Sequence, residues 1–207
     1  MKKTFLSALF VSVLALSGCA TAPEAVNPDV DPVPVEVTTG DEARVMPRDI
    51  QLPEGFAAYN YSERPFAFAF PQYYDMSGES NSSTEFLERV NLTHEKYDDG
   101  VARMEGPPGI SVLVFEKPEN VALKDFLTQK TNSTNYANED QKSNEKTVKL
   151  ENGLEFLTYQ GDGLYTYQYY VIEKGPYVYA FSAFYLNETE PEKADLARIL
   201  NTLKFYE

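Results

Sequence analysis

Tryptophan is absent from this sequence, and histidine and cysteine occur once each in 207 residues. One cysteine excludes an internal disulfide and a CxxC pair, and one histidine excludes a His-rich zinc site and leaves most catalytic triads without their parts. Positive charge is also scarce: 18 Lys and Arg stand against 32 Asp and Glu, for a formal charge of −14. A phosphate backbone wants a basic face, so the field of this chain repels nucleic acid and no nucleic-acid partner is expected. Long apolar runs are missing too. The stretch from Phe5 to Leu16 covers about 18 Å at ~1.5 Å per residue, against ~30 Å of bilayer hydrocarbon. What is plentiful is aromatic, with 15 Tyr and 13 Phe in a chain that is 43% hydrophobic, enough for one domain with a real core plus appendages.

Residues 1–18 read as an export signal: Lys2-Lys3, the apolar run, then the small pair Ser17-Gly18. Leu16-Ser17-Gly18-Cys19 resembles the bacterial lipobox, [LVI]-[ASTVI]-[GAS]-Cys. The resemblance implies that the Cys19 thiol carries a diacylglyceryl group, that a dedicated peptidase cuts before it, and that the freed amine takes a further acyl chain such as palmitate. One acyl chain holds weakly at ~0.8 kcal/mol per buried methylene, whereas two or three anchor durably. The expected membrane contact is therefore the lipid on Cys19. With Ala20 following it, passage to the outer membrane is expected in a double-membraned bacterium, and otherwise the outer face of the plasma membrane.

Residues 19–49 form the expected tether. Pro23, Pro28, Pro32, Pro34 and Pro47 alternate with small, β-branched and acidic residues. Proline at that spacing removes amide donors and fixes φ, so neither helix nor central strand runs through it. The loss of Lys2 and Lys3 with the signal makes the mature chain more acidic still, which disfavours a polybasic second anchor.

Residues 50–207 carry the globular domain. Phe66-Ala67-Phe68-Ala69-Phe70 predicts a strand ending at Pro71, and Glu88 to Lys96 another, with Val90, Leu92 and His94 on one face. Pro107-Pro108-Gly109 turns into the apolar run Ile110 to Phe115, a strand covered on both faces. Leu123, Phe126, Leu127 and Lys130 lie at helical spacing. Thr131 to Glu145, rich in Asn, Ser and Thr, predicts a surface loop. A meander follows over about 146–150, 154–160, 164–173 and 177–186, with turns at Asn152-Gly153, Gly161-Asp162-Gly163 and Lys174-Gly175-Pro176. Thr189 and Glu192 match a capping box ahead of a helix striped by Leu196, Ile199, Leu200 and Leu203, and Lys204 to Glu207 predicts a short edge strand.

The strand from Phe66 to Phe70 with Pro71 and Tyr73-Tyr74, the strand from Ile110 to Phe115, the helix after Asn120, the Tyr-rich meander and the closing Ile199-Leu200-Asn201-Thr202-Leu203-Lys204-Phe205 together resemble the PsbP-like domain. That group spans photosystem-associated lumenal proteins, a nuclear-import factor and many bacterial lipoproteins. The resemblance implies an α+β fold, an antiparallel β-sheet sandwiched between helices. It carries no activity over, because the ligand residues of the photosynthetic members find no counterpart here.

The functional candidates follow from residue chemistry. His94 lacks ligand partners, and Asp98-Asp99-Gly100, Asn138-Glu139-Asp140 and Asp162 lack the alternating register of a calcium loop, so no metal or cofactor is assigned. Tyr165, Tyr167, Tyr169, Tyr177 and Tyr179 are the candidate ligand-stacking residues, since tyrosine combines a flat apolar face with a polar tip. The competing reading buries the same rings under two helix layers. The expected function is a membrane-anchored, non-catalytic binding or accessory module for an envelope protein or wall glycan. The alternatives are a carboxylate-dependent hydrolase and a structural envelope protein with no discrete ligand. An open tyrosine patch beside two convergent carboxylates would favour a hydrolase or glycan binder, and a sheet closed on both faces a protein-binding module.

Overall fold

The computed structural model describes residues 49–60, 64–80, 85–99, 106–137, 140 and 142–206. The signal over 1–18, Cys19, nearly all of the tether, Gly100, Asn138 and Glu139 lie outside them. Aromatic and β-branched residues at period two build most of what is seen. Seven strands pair antiparallel throughout: β3 (Tyr74–Ser80), β4 (Glu88–His94), β5 (Gly109–Glu116), β6 (Lys142–Lys149), β7 (Glu155–Asp162), β8 (Thr166–Lys174) and β9 (Tyr177–Tyr185). Their spatial order is β3-β4-β5-β9-β8-β7-β6. A second sheet takes β1 (Phe56–Tyr59), β2 (Phe66–Pro71) and β10 (Lys204–Phe205), with β2 central. The helices are α1 (Leu123–Gln129), the single turn α2 (Thr131–Thr134) and α3 (Glu192–Thr202). The class is α+β, with helices on both sides of an antiparallel sheet. No helix among the described residues is long and apolar enough to cross a membrane.

The odd residues of β9 and the even residues of β4, β5 and β8 share one face. There Val90, Leu92, Ile110, Val112, Val114, Ile172, Tyr179 and Phe181 meet the Leu196, Ile199, Leu200 and Leu203 stripe of α3 and the Phe66, Phe68 and Phe70 rings of β2. Phe66 lies 5.0 Å from the Tyr179 ring, and Phe68 meets Phe181 edge-on at 6.3 Å. Thr202 fastens α3 to β2, accepting the Ala69 amide at 2.8 Å. The opposite face carries Leu113, Phe115, Tyr159, Tyr169, Val171, Val178 and Ala180 under Phe126 and Leu127 of α1.

Several expectations change here. The Phe66 strand is buried on every side, as its run of large apolar rings requires, but it belongs to the second sheet rather than the main one. The expected loop over 131–145 contributes α2, seated by buried Thr134, and the start of the exposed strand β6, held by its backbone pairing with β7. The turn predicted at Gly161-Asp162-Gly163 slides to Gly163-Leu164-Tyr165. The capping box does not form. Thr189 donates both its amide and its hydroxyl to Asn187 Oδ1, Pro191 becomes the N-cap, and Glu192 turns inward, fully buried, to the Lys96 ammonium at 3.3 Å.

One turn further along α3, Asp195 is buried and accepts from Tyr73 at 2.8 Å, Tyr74 at 3.2 Å and Arg198 at 2.9 Å. Burial, then the Asp195 charge, pushes the Tyr74 hydroxyl far above the ordinary tyrosine range, so it acts as a fixed donor. His94 stacks on Tyr73 at 4.7 Å and its Nδ1 accepts the Lys96 amide at 3.1 Å, capping the short 3-10 turn Glu95–Tyr97. That use of both ring face and nitrogen makes His94 a structural residue.

Candidate functional site

The helical cover on the second face is partial. α1 and Tyr136 lie over Leu113, Phe115, Val178 and Ala180, whereas toward Asn91, Ser111, Ser182 and Phe184 the sheet floor opens into a cleft of about 270 Å³. The reason is in the sequence. On β5 and β9 the face residues change from apolar to polar along the strands, Leu113 giving way to Ser111 and Ala180 to Ser182, while β4 is polar throughout on this face, with Asn91 opposite Ser111. Small polar side chains there have little apolar area to bury, so no helix is held over them.

Rings wall one side. Tyr165 comes from the turn before β8, Tyr167 from its start, Tyr169 from two residues further in, and Phe184 from β9 opposite Tyr167. Tyr167 and Phe184 lie 5.9 Å apart at 30°, and Tyr167 and Tyr169 6.0 Å apart at 15°, so successive rings present nearly parallel faces. Tyr159 stacks beneath Tyr169 at 4.7 Å and donates to the Thr134 carbonyl at 2.8 Å, which ties α2 to the aromatic row. Tyr165 donates to the Gly106 carbonyl at 2.6 Å, and Asn135 donates to the Tyr169 hydroxyl at 3.2 Å. Desolvation raises the Tyr169 pKa well beyond its usual value, so the hydroxyl stays protonated. Gly109 makes room for the wall: a Cβ there would sit 3.2 Å from Phe184 Cζ and 2.6 Å from the Leu92 carbonyl oxygen.

The other side is polar. Ser133 of α2 donates to Glu85 Oε1 at 2.7 Å, and Asn132 stands beside it. Ser111 donates to Asn91 Oδ1 at 3.0 Å on the floor. Arg89, two residues before Asn91 on the same face of β4, lays its guanidinium over the Phe86 ring at 4.3 Å. Among the described residues lining the cleft Glu85 is the one carboxylate, and no group of three or more His, Cys, Asp or Glu converges as a metal site.

Of the five tyrosines predicted to stack on a ligand, the structure brings Tyr165, Tyr167 and Tyr169 together in the cleft. It separates Tyr177 and Tyr179, which sit on the opposite face of β9. Tyr179 is fully enclosed between Phe66 and Phe205, and Tyr177 lies under the Arg64 guanidinium at 5.6 Å, so neither reaches the cleft. The physical reason is parity: odd positions of β8 and odd positions of β9 fall on different faces once Tyr167 pairs with Phe184. Sequence reasoning missed Arg89, Asn91, Ser111, Ser182 and Phe184. Their signal was the polar interruption of otherwise apolar strands. Cys19 lies outside the described residues.

No family profile matches the chain, and no curated protein is similar to it in sequence. Among solved structures, cyanobacterial PsbP from Synechocystis sp. PCC 6803 is similar at a TM-score of 0.48 and 14% identity, over 75% of this chain and 95% of that one. A protein from Bacteroides thetaiotaomicron is similar at a TM-score of 0.37 and 14% identity, over 69% of this chain and 46% of the other. These are likenesses of chain path, and the reading of the cleft rests on its own residues.

Proposed function

We propose that the protein is a lipid-anchored envelope lipoprotein whose domain is a non-catalytic binding module for a wall glycan, held in the cleft on the open half of the sheet. The observation that carries this is the pair of nearly parallel, part-exposed rings of Tyr167 and Phe184 beside a floor of neutral amides and hydroxyls. Sugar rings pair apolar C–H faces with equatorial hydroxyls, which calls for aromatic faces next to small polar side chains. Hydrolysis by paired carboxyl groups needs a second acid ~5–9.5 Å from the first, and with Glu85 as the single carboxylate of the described lining, binding is the better-supported reading. The anchor rests on Leu16-Ser17-Gly18-Cys19 and the Pro-rich tether that follows.

The test is co-sedimentation of the full-length, detergent-solubilised protein with purified cell-wall polysaccharide. The protein is expected in the pellet, and a Tyr167→Ala variant in the supernatant. Equal pelleting of both proteins, or of neither, contradicts the proposal.

A further inference from the structure

Several polar groups of the cleft already bond to one another. Ser111 takes the Asn91 carbonyl oxygen, Ser133 takes one Glu85 oxygen, and the Tyr165 hydroxyl spends its proton on Gly106. The donors of Asn91 and Arg89 are not engaged in this way. The amide hydrogens of Asn91 have no acceptor among the described residues, and the Arg89 guanidinium contacts the Phe86 ring but pairs with no described carboxylate side chain. Both residues project from one face of β4 at positions two apart, beside Leu113 and Ser111 and across the floor from Ser182 and the Phe184 and Tyr167 rings. A planar fork of five N–H groups beside an amide donor is matched by a carboxylate, which accepts on two oxygens at once.

We propose that the cleft selects a carboxylate-bearing sugar, a hexuronate unit of an acidic oligosaccharide, whose ring lies on Tyr167 and Phe184 and whose carboxylate takes the donors of Arg89 and Asn91. This rests on the glycan-binding reading and specifies its ligand class. A neutral sugar leaves the guanidinium to water, and an anion without a ring makes no use of the aromatic wall. The overall charge of −14 opposes an acidic ligand at long range, but the Debye length of ~8 Å at physiological salt screens distant carboxylates while contact donors keep their effect. Glu85 lines the cleft, so it is the described acid that opposes the ligand most directly.

The experiment is calorimetric titration of the full-length protein in detergent with oligogalacturonate and oligomannuronate, each as the acid and as its methyl ester, and with neutral chitotetraose. At least one acid is expected to bind about ten-fold tighter than its ester. Arg89→Gln should erase that gap, and Glu85→Gln should widen it. Equal affinity for acid and ester in the unmodified protein overturns the carboxylate proposal and leaves the glycan reading standing. No binding of any acid, ester or neutral oligosaccharide overturns both. The acid-to-ester comparison needs no variant, so misfolding of Arg89→Gln does not decide the outcome.

Discussion

Gly109 opens the strand that carries the cleft floor, and replacing it by alanine should cost stability and disturb the aromatic wall together. A Cβ built there comes 2.6 Å from the Leu92 backbone carbonyl and 3.2 Å from Phe184 Cζ. The first contact is with backbone in the neighbouring strand, so it cannot be relieved by a rotamer change, and the second pushes on the ring that lies against Tyr167. Overpacking of this kind costs about 1–3 kcal/mol, and contact with rigid backbone places Gly109→Ala near the top of that span. Alanine returns about 0.5–1 kcal/mol through lower unfolded-chain entropy, for a net loss of about 2 kcal/mol. At about 2–4 °C per kcal/mol for a domain of this size, Tm should fall by about 4–8 °C. Thermal unfolding followed by circular dichroism reads this directly, and glycan affinity should fall in parallel as Phe184 moves. A Gly109→Ala protein that melts at or above the parent temperature refutes the close approach of β4, β5 and Phe184.

Other consequences are equally concrete. Asp195→Ala strips the acceptor from the buried Tyr74 hydroxyl and from Arg198, for a loss of about 2–3 kcal/mol in chemical denaturation; a loss below about 1 kcal/mol contradicts the assignment of Asp195 as their shared acceptor. Glu145 is held down to a pKa of about 2 by its bond from Lys124, aided by Lys142 and Tyr136. A lowered folded pKa means stability that is present above about pH 4.5 and lost as pH falls toward 2. Because the lysines are partly solvated, the contribution is about 1 kcal/mol, and the stability gap between parent and Glu145→Gln should therefore shrink from pH 7 to pH 2. A gap that stays constant over that range argues against the ion pair. Tyr159→Phe removes the bond to Thr134 that seats α2, so about 1 kcal/mol of stability and part of the glycan affinity should go together; unchanged affinity would separate α2 from the site. Cys19→Ser should move the protein from the membrane to the soluble fraction on cell fractionation, and unchanged distribution contradicts the anchor.

What the sequence made legible was local. The 3.6-residue stripe of Leu196, Ile199 and Leu200 fixes α3, and Lys174-Gly175-Pro176 between two Tyr-rich runs fixes the β8-β9 hairpin, with Gly175 at φ +57°. Long-range pairing was not legible. Nothing local says that β5 pairs with β9, or that the Phe66 to Phe70 run leaves the main sheet to pack across it. The failed capping box shows the same limit. Thr189 and Glu192 have the right spacing, but Glu192 is turned inward toward Lys96, far away in sequence, and Thr189 bonds Asn187 instead. The tyrosine rows were visible as rows. Which row is core and which is cleft depends on how far α1 and α2 extend over the face, and Asn91, Ser111 and Ser182, single polar residues in separate strands, become a floor only when those strands pair.

The proposed ligand is a sugar held on the half-open face beside Tyr167 and Phe184. Amide chemical-shift mapping of the isotopically labelled full-length protein, titrated with soluble fragments of the cell-wall polysaccharide, tests it most directly. Shifts are expected at Arg89, Asn91, Ser111, Tyr167, Ser182 and Phe184, with Tyr177, Tyr179 and the α3 residues unmoved. Shifts centred on the α3 face, or none at saturating fragment, would contradict it.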